Sequence, residues 1–145
     1  MASKKKNFLI IFLMLAAVAA TAVYFVWNKP HKNVEDATAV EVKATELYDL
    51  FIKDSVKANA AYTGKVLSVT GQVEKVSVNQ QSQNIILLKT AVAGAYINCT
   101  MEKNPEGIKP NDNVSIKAIC SGYISGDADM GLPGDVFLVR GYLSK

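Results

Sequence analysis

Few residues in this chain are of the types that perform catalysis or bind metal ions. Its 145 residues include two cysteines, Cys99 and Cys120, and a single histidine, His31, which lies beside lysines and a proline. A lone histidine in such a polar segment is typical of a solvated residue. The sequence has no Cys-x-x-Cys motif and no glycine-rich phosphate loop, and a Ser-His-Asp set would have to use His31. It therefore predicts a protein that is not an enzyme and uses neither a metal nor a cofactor.

The two cysteines lie at inward-pointing positions of two predicted strands. In an oxidising compartment, Cys99 and Cys120 can form a disulfide. The alternative is a pair of free, buried thiols that pack as small apolar groups. A thiol-based redox function is a further hypothesis, although neither cysteine has a flanking histidine or the start of a helix nearby to activate it.

Three aspartates lie in a glycine-rich segment near the carboxyl terminus. The segment starts with Asp-Ala-Asp-Met-Gly, which is similar to the start of a calcium-binding loop. Asp127, Asp129 and Asp135 supply carboxylates, but the remaining oxygen ligands and the glutamate at position 12 of an EF-hand are missing. The pattern favours an ordinary turn over a metal site.

The amino-terminal segment has a basic tip followed by an apolar run. Lys4, Lys5 and Lys6 precede residues 8–27, which carry no charge and can span a bilayer as a helix. A cleaved signal peptide is the alternative, but the length of the run and its aromatic end favour an uncleaved anchor. The positive-inside rule then predicts a single-pass protein of the cytoplasmic (inner) membrane, with its amino terminus inside and its domain periplasmic or extracellular.

Charge and composition divide the chain into three parts. Residues 1–28 form the basic tip and the transmembrane anchor, residues 29–39 a polar linker, and residues 40–145 a folded domain. Five basic residues and no acid precede Asn33, whereas the rest of the chain has eleven basic and thirteen acidic residues. The domain therefore has no basic surface overall, which argues against a polybasic nucleic-acid arm.

The folded domain contains one helical pattern and five strand patterns. Apolar residues at helical spacing from Val40 to Ala58 predict an amphipathic helix that ends at Asn59 or Gly64. Thr38 and Glu41 match a capping box, so the helix is expected to begin near Ala39. Strand patterns follow at residues 65–78, 84–88, 96–101, 114–120 and 136–143.

The first strand pattern, residues 65–78, is long. Its apolar residues change face near Glu74 and Lys75, which predicts a β-bulge, and Gly71 permits a sharp bend. Five antiparallel strands of this kind with uneven loops are typical of an OB-fold barrel. The predicted fold is mainly β: a five-stranded OB-fold barrel preceded by one amphipathic helix, with a transmembrane helix at the amino terminus.

The segment from Leu47 to Val73 resembles the tRNA-anti-like family of bacterial OB-fold proteins. It carries Ala61-Tyr62, Gly64-Lys65-Val66-Leu67 and Val69-Thr70-Gly71-Gln72-Val73, which are similar to the family's pattern of a helix leading into a first strand. The later strands, including Cys120-Ser121-Gly122, are similar as well. The resemblance implies an OB-fold barrel, in proteins that are often exported or lipid-attached and have no established activity. A fold name does not identify a ligand.

An OB-fold barrel binds its ligands on the face of its second and third strands. The residues expected to contact a ligand are Tyr96, Asn98 and Thr100 on the third strand, Gln72 on the first, and Lys89 at the end of the second. Only Tyr96 can stack on a base, and the domain is slightly acidic, so nucleic acid is disfavoured. The sequence predicts a membrane-anchored binding module whose partner is a protein, peptide or glycan; a nucleic-acid-binding protein is the alternative.

Overall fold

The computed structural model describes residues 14–24 and 33–144 of the chain. The chain divides into two compact units, Met1–Asn33 and Val34–Lys145. In the first unit, residues 14–24 are helical, and large apolar side chains such as Leu15 and Val18 are exposed. Within the described ranges, no helix combines the length and apolar composition needed to cross a membrane. The predicted anchor, residues 8–27, extends beyond the described helix on both sides.

Residues 33–144 contain six strands and two helices. In chain order these are β1 (Val40–Lys43), α1 (Ala44–Lys53), α2 (Ser55–Tyr62), β2 (Val66–Val78), β3 (Asn84–Lys89), β4 (Tyr96–Met101), β5 (Asn113–Ile124) and β6 (Asp135–Leu143). The five predicted strands correspond to β2 through β6. β1 is additional, and the predicted single helix is two helices.

Strands β2 to β6 close into a barrel. Their order is β2-β3-β4-β6-β5, and β2 closes the ring by pairing with β5. The mainly β, five-stranded barrel is thus confirmed, but the expectation of purely antiparallel pairing is wrong, because β4 and β6 run parallel. An odd number of strands cannot alternate direction all the way around a closed ring, so one neighbouring pair must be parallel.

The predicted bulge lies in β2. The register with β3 shifts between Val73 and Lys75, which leaves Glu74 as the extra residue. Val66 to Gln72 of β2 pair with β5, and Leu67 to Thr70 also pair with β1. From Val73 onward, β2 pairs with β3. Leu67 and Val69 are fully buried, as the alternation predicted. One strand therefore contributes to two sides of the barrel.

Gly71 lies where β2 passes the start of α1. A Cβ atom at this position would lie 2.8 Å from the Cβ of Ala44, closer than side chains approach each other. The missing side chain lets α1 pack against the barrel, where Leu47, Tyr48 and Phe51 are buried. Because α1 contacts β2, β3, β4 and β6, it covers one end of the barrel.

The predicted start of the helix is wrong. Residues Val40–Lys43 form β1, which pairs in parallel with the first half of β2. Thr38 and Glu41 therefore do not cap a helix, and α1 begins at Ala44 without a side-chain cap. A tertiary contact decides this difference, because the unpaired edge of β2 is available to an extended segment.

The helical pattern also breaks at Asp54, which the sequence prediction missed. Asp54 has an extended conformation, and its carboxylate accepts a hydrogen bond from the Lys57 backbone N–H at 3.0 Å. This bond caps α2, and it holds the pKa of the Asp54 carboxyl below its usual range. Aspartate at the amino end of a helix satisfies donors that would otherwise be unpaired, so α2 starts as a new helix.

The predicted linker, residues 29–39, is partly folded onto the domain. The compact unit begins at Val34, whose side chain is fully buried. The Lys117 ammonium donates to the carbonyl oxygens of Glu35 at 2.9 Å and Ala37 at 3.0 Å. The domain therefore extends six residues further toward the amino terminus than residue 40, while residues 29–32 lie outside the described ranges.

Candidate ligand-binding face

The outer surface of β3, β4 and the neighbouring parts of β2 and β6 forms one continuous face, which we call the ligand face. Its members alternate with the buried residues of the same strands and so point away from the core. The ligand face consists of Lys75, Ser77, Ile85, Leu87, Lys89, Tyr96, Asn98, Thr100 and Phe137.

The centre of the ligand face is apolar. Strand register places Lys75, Leu87, Asn98 and Phe137 side by side across four strands. Ile85 lies two residues before Leu87 on β3, on the same side. Leu87, Ile85 and Phe137 are half-buried, and none of them packs against the hydrophobic core. Their apolar surface is available to a ligand.

Four of the five predicted ligand-binding residues lie on this face. Lys89 is opposite Tyr96, Asn98 is opposite Leu87, and Thr100 is opposite Ile85. All four are half-buried. The alternation that predicted Tyr96, Asn98 and Thr100 as outward-facing therefore agrees with the structure, because their neighbours on β4 are buried.

The fifth residue, Gln72, lies at the edge of the ligand face and is linked to it through Asn111. Gln72 pairs with Asn113 on β5, and its Nε2 donates to the Asn111 carbonyl oxygen at 3.2 Å. The Lys89 ammonium donates to Asn111 Oδ1 at 2.8 Å. Gln72 and Lys89 thus both donate hydrogen bonds to Asn111, in the loop before β5.

The two lysines of the ligand face differ in their charge environment. Lys89 forms an ion pair with Glu74, with 3.3 Å between Nζ and Oε2. Among the described residues, Lys75 has no carboxylate within ion-pair distance. The bulge creates this difference, because it inserts Glu74 beside Lys89. Only one cation of the face is left uncompensated.

The β5–β6 loop returns to one end of the ligand face. The Tyr96 backbone N–H donates to Asp135 Oδ1 at 2.8 Å, and Pro133 lies against Gly94, where a Cβ would be 3.6 Å from its Cγ. Desolvation by burial raises the pKa of the Asp135 carboxyl, and the hydrogen bond from Tyr96 opposes this effect. Asp135 is therefore a structural acceptor at the edge of the face.

The first aspartate of this loop stabilises a turn. Asp127 Oδ1 accepts from the backbone N–H groups of Asp129 at 3.0 Å and Met130 at 3.2 Å, which is the pattern of a side chain that stabilises a turn. Across residues 14–24 and 33–144, no group of three His, Cys, Asp or Glu side chains is arranged to hold a metal ion. The ordinary turn that the sequence favoured is what the structure shows.

Cys99 and Cys120 are free, buried thiols, so the second of the two alternatives that the sequence left open is the one in the structure. Both residues pair with Leu138, from opposite sides of β6. Since neighbouring strands lie about 4.8 Å apart, their Cα atoms are separated by roughly twice that distance, beyond the limit of about 7 Å for a disulfide. Burial raises the pKa of both thiols, which leaves them inert.

The barrel has a second outer face, on the first half of β2 and on β5. Its hydroxyl groups bond to one another: Ser68 Oγ and Ser115 Oγ are 3.1 Å apart, and Thr70 Oγ1 donates to Ser115 Oγ at 3.3 Å. We call Ser68, Thr70 and Ser115 the hydroxyl face. A groove of about 570 Å³ runs over it and is also lined by Lys43 and Glu46, which pair with each other.

Comparison with known proteins adds a family to this description. A family model described as tRNA_anti-like matches residues 1–130. The chain belongs to the tRNA_anti-like family. The segment that carried the resemblance in sequence, Leu47 to Val73, comprises most of α1, all of α2 and the first half of β2. No curated protein sequence matches the chain.

Two solved structures align with part of this chain. A Leishmania major Friedlin protein assigned as an aspartyl-tRNA synthetase aligns with 80% of this chain and 22% of its own, at 7% identity and a TM-score of 0.44. OBody AM3L15, solved bound to hen egg-white lysozyme, aligns with 59% of this chain and 80% of its own, at 18% identity and a TM-score of 0.36. The chain spans about a fifth of the length of the first.

Five residues of the ligand face were missed by the sequence prediction: Lys75, Ser77, Ile85, Leu87 and Phe137. The signal for Phe137 is present, because Val136 and Leu138 are buried on either side of it. The same alternation on β3 buries Ile86 and Leu88 and leaves Ile85 and Leu87 outside. An all-apolar run obscures this period, since its two faces have similar composition.

Proposed function

We propose that this chain is a non-enzymatic binding module that is attached to a membrane through residues 8–27 and binds an apolar segment of a protein or peptide on its ligand face. The observation that carries the proposal is the row of Leu87, Asn98 and Phe137, with Ile85 beside it. Half-exposed apolar side chains next to amide and hydroxyl groups suit a peptide, whose side chains need apolar contact and whose backbone needs hydrogen bonds.

The charges around the ligand face support a protein or peptide partner over nucleic acid. Lys89 is compensated by Glu74, so Lys75 is the single uncompensated cation among the described residues of the face. Asp127 and Asp129 lie in the loop at its end. Phosphate backbones need several positive contacts, because counterion release supplies much of their affinity. This surface offers few such contacts.

Nucleic acid is the second candidate, and one observation favours it. The structure adds Phe137 to Tyr96, so the ligand face carries two outward aromatic side chains, whereas the sequence had indicated one. Aromatic side chains on an OB-fold face are platforms on which bases stack. Stacking without charge support predicts weak binding that changes little with salt.

Membrane attachment is supported by residues outside the folded domain. Lys4, Lys5 and Lys6 precede an uncharged stretch of 20 residues, and residues 14–24 of that stretch are helical with exposed apolar side chains. Exposed apolar helices are stable in lipid but not in water. The three lysines before the helix are expected on the cytoplasmic side by the positive-inside rule, which puts the domain on the other side of the membrane.

The ligand proposal is tested by selecting a displayed peptide library on the full-length protein in detergent micelles. The expected result is a family of apolar peptides that bind the unsubstituted protein and are lost with Leu87→Glu but retained with Ser115→Ala on the hydroxyl face. In parallel, a twelve-nucleotide oligothymidine is titrated by chemical-shift perturbation. Shifts at Tyr96 and Phe137 with the oligonucleotide, and no selected peptide, would transfer the proposal to nucleic acid.

The attachment proposal is tested by fractionation. The full-length protein is expected in the membrane fraction after washing with carbonate at high pH, and its carboxyl-terminal domain is expected to be digested by protease added outside spheroplasts. A matched variant with Leu15 and Val18 replaced by lysine should leave the membrane. Recovery of the unsubstituted protein in the soluble fraction would overturn this part of the proposal.

A further inference from the structure

Residues 34–37 form a short strap that lies across the outer surface of β5 and β6. The Val34 side chain is fully buried, and the Ala37 backbone N–H donates to the Val34 carbonyl at 3.4 Å. The Lys117 ammonium binds two strap carbonyls, as described above. The Lys103 ammonium binds the Glu35 carboxylate, with 3.0 Å between Nζ and Oε2. Two strap carbonyls and the Glu35 carboxylate thus accept hydrogen bonds from two lysines of the barrel domain.

The surface beneath the strap combines two lysines with an aromatic ring. Lys103 Nζ lies 5.3 Å from the centroid of the Tyr142 ring, and Lys117 pairs with Tyr142 across β5 and β6. The Glu35 carboxylate raises the pKa of Lys103, so Lys103 keeps its charge at the strap. The Lys103 ammonium thus makes both a cation–π contact and a charge-assisted hydrogen bond, and the two contacts together fix its position.

The strap lies in a groove formed by Lys103, Lys117 and Tyr142, and this groove is wider than the strap. Cavities of about 170 Å³ and 240 Å³ lie on the two sides of Glu35, and both are lined by Tyr142 and Leu143. The groove therefore has room beside the segment that occupies it. Its charge complements the strap, because the two lysines interact with two strap carbonyl oxygens and the Glu35 carboxylate, and Asp36 adds a second negative charge near Lys103.

We propose that the groove formed by Lys103, Lys117 and Tyr142 is a docking site for a peptide that carries an apolar residue followed by an acid, and that residues 34–37 are its displaceable occupant in this chain. This site is separate from the ligand face and does not depend on what that face binds. Release of the strap would uncover both lysines and the ring for a partner segment of the same chemistry.

The strap is held by few contacts, which makes release feasible. One buried valine, two hydrogen bonds from a lysine, one exposed ion pair and the attraction of Asp36 to Lys103 oppose the conformational entropy of ordering four residues. These contributions largely offset the entropy, so the docked state is favoured only modestly over the released state. A competing peptide can then shift the population between them.

The experiment uses the full-length protein in micelles, isotopically labelled. A strap-released variant, Val34→Ser with Glu35→Gln, is titrated with an acetylated, amidated peptide of residues 33–39. We expect shifts at Lys103, Lys117 and Tyr142, and at least tenfold weaker binding to the unsubstituted protein, because its own strap competes at an effective concentration in the millimolar range. A peptide with the same two substitutions is the matched control and should not bind.

Lysine variants separate the docking site from a structural role. In the strap-released background, Lys103→Met with Lys117→Met should abolish peptide binding, whereas Lys75→Met on the ligand face should leave it unchanged. Hydrogen exchange of β5 and β6 amides checks that each variant is folded. If the strap-released variant is folded and does not bind the peptide, or binds the control peptide equally well, the proposal is overturned.

Discussion

The ligand face and the hydroxyl face lie on the same barrel and share strand β2, yet their side chains differ in how far they contact other groups of the chain. On the hydroxyl face, Ser68, Thr70 and Ser115 bond to one another. On the ligand face, Leu87 and Phe137 are outward and lack core contacts. The difference shows that outward position alone does not make a binding site. A face can bind a partner when its groups are not already satisfied within the chain.

The bulge at Glu74 separates the two faces. It lies directly after the point where β2 changes from pairing with β5 to pairing with β3. Ser68 and Thr70 of the hydroxyl face precede it, and Lys75 and Ser77 of the ligand face follow it. It also places the Glu74 carboxylate beside Lys89. One inserted residue thus sets both the boundary and the charge of the ligand face.

The largest expected effect compares the stability contributions of an inward-facing and an outward-facing residue of β6. Leu138→Ala should lower the free energy of unfolding by about 2–5 kcal/mol, because Leu138 is fully buried. Phe137→Ala, its neighbour, should cost no more than about 1 kcal/mol. Urea denaturation followed by circular dichroism measures both. Similar losses for the two variants would mean that Phe137 serves the fold rather than a ligand.

The next effect compares one acidic substitution on each face. Leu87→Glu should weaken binding of peptides selected on the ligand face by at least about tenfold, equal to about 1.4 kcal/mol. Thr70→Glu, on the hydroxyl face, should change it less than about twofold, because distant surface substitutions act independently. Fluorescence anisotropy of a labelled peptide gives both affinities. An equal loss on the two faces would contradict the assignment of the ligand face.

A smaller effect concerns the charge that the bulge inserts. Glu74→Gln removes the partner of Lys89 and should raise affinity for a single-stranded oligonucleotide by about two- to fivefold in low salt, with the gain lost at about 0.5 M salt. Glu46→Gln removes the partner of Lys43 near the hydroxyl face and is the matched control. If the two variants gain equally, net charge rather than the ligand face governs the binding.

The smallest effect is a pH dependence at the edge of the ligand face. Burial raises the pKa of Asp135 above its unfolded value, so the folded state holds the proton more tightly, and this residue lowers stability as pH rises through the folded pKa. Asp135→Asn keeps an acceptor for the Tyr96 N–H and removes the charge. We expect Tm to rise by a few degrees at most at pH 7, with no gain below about pH 3.8. A fall in Tm at pH 7 would show that the carboxylate charge is stabilising.

Much of the barrel could be predicted from the sequence, because its signals are local. Alternation identified Ile97, Cys99 and Met101 as inward, and all three are buried. The change of face near Glu74 predicted the bulge, since a single inserted residue reverses which side chains point inward. The family resemblance covered α2 and β2. These features depend on a few neighbouring residues.

The candidate site could be predicted only in part. Tyr96, Asn98 and Thr100 were identified from one strand, because polar and apolar residues alternate there. Leu87 and Phe137 were missed, because their strands are apolar on both faces and composition does not distinguish inward from outward. The ion pair of Lys89 with Glu74 joins two strands, so no local pattern reveals it.

The amino-acid sequence by itself determined the five strands of the barrel, where the long strand is interrupted, and that the chain belongs among OB-fold barrels. Only the tertiary structure decided that residues 40–43 form a strand rather than the start of a helix, that Cys99 and Cys120 lie on opposite sides of Leu138, and that Val34 is buried. The physical reason is that strand and helix periods arise within one segment, whereas pairing partners, separations and burial arise between segments that are distant in sequence and meet only when the barrel closes.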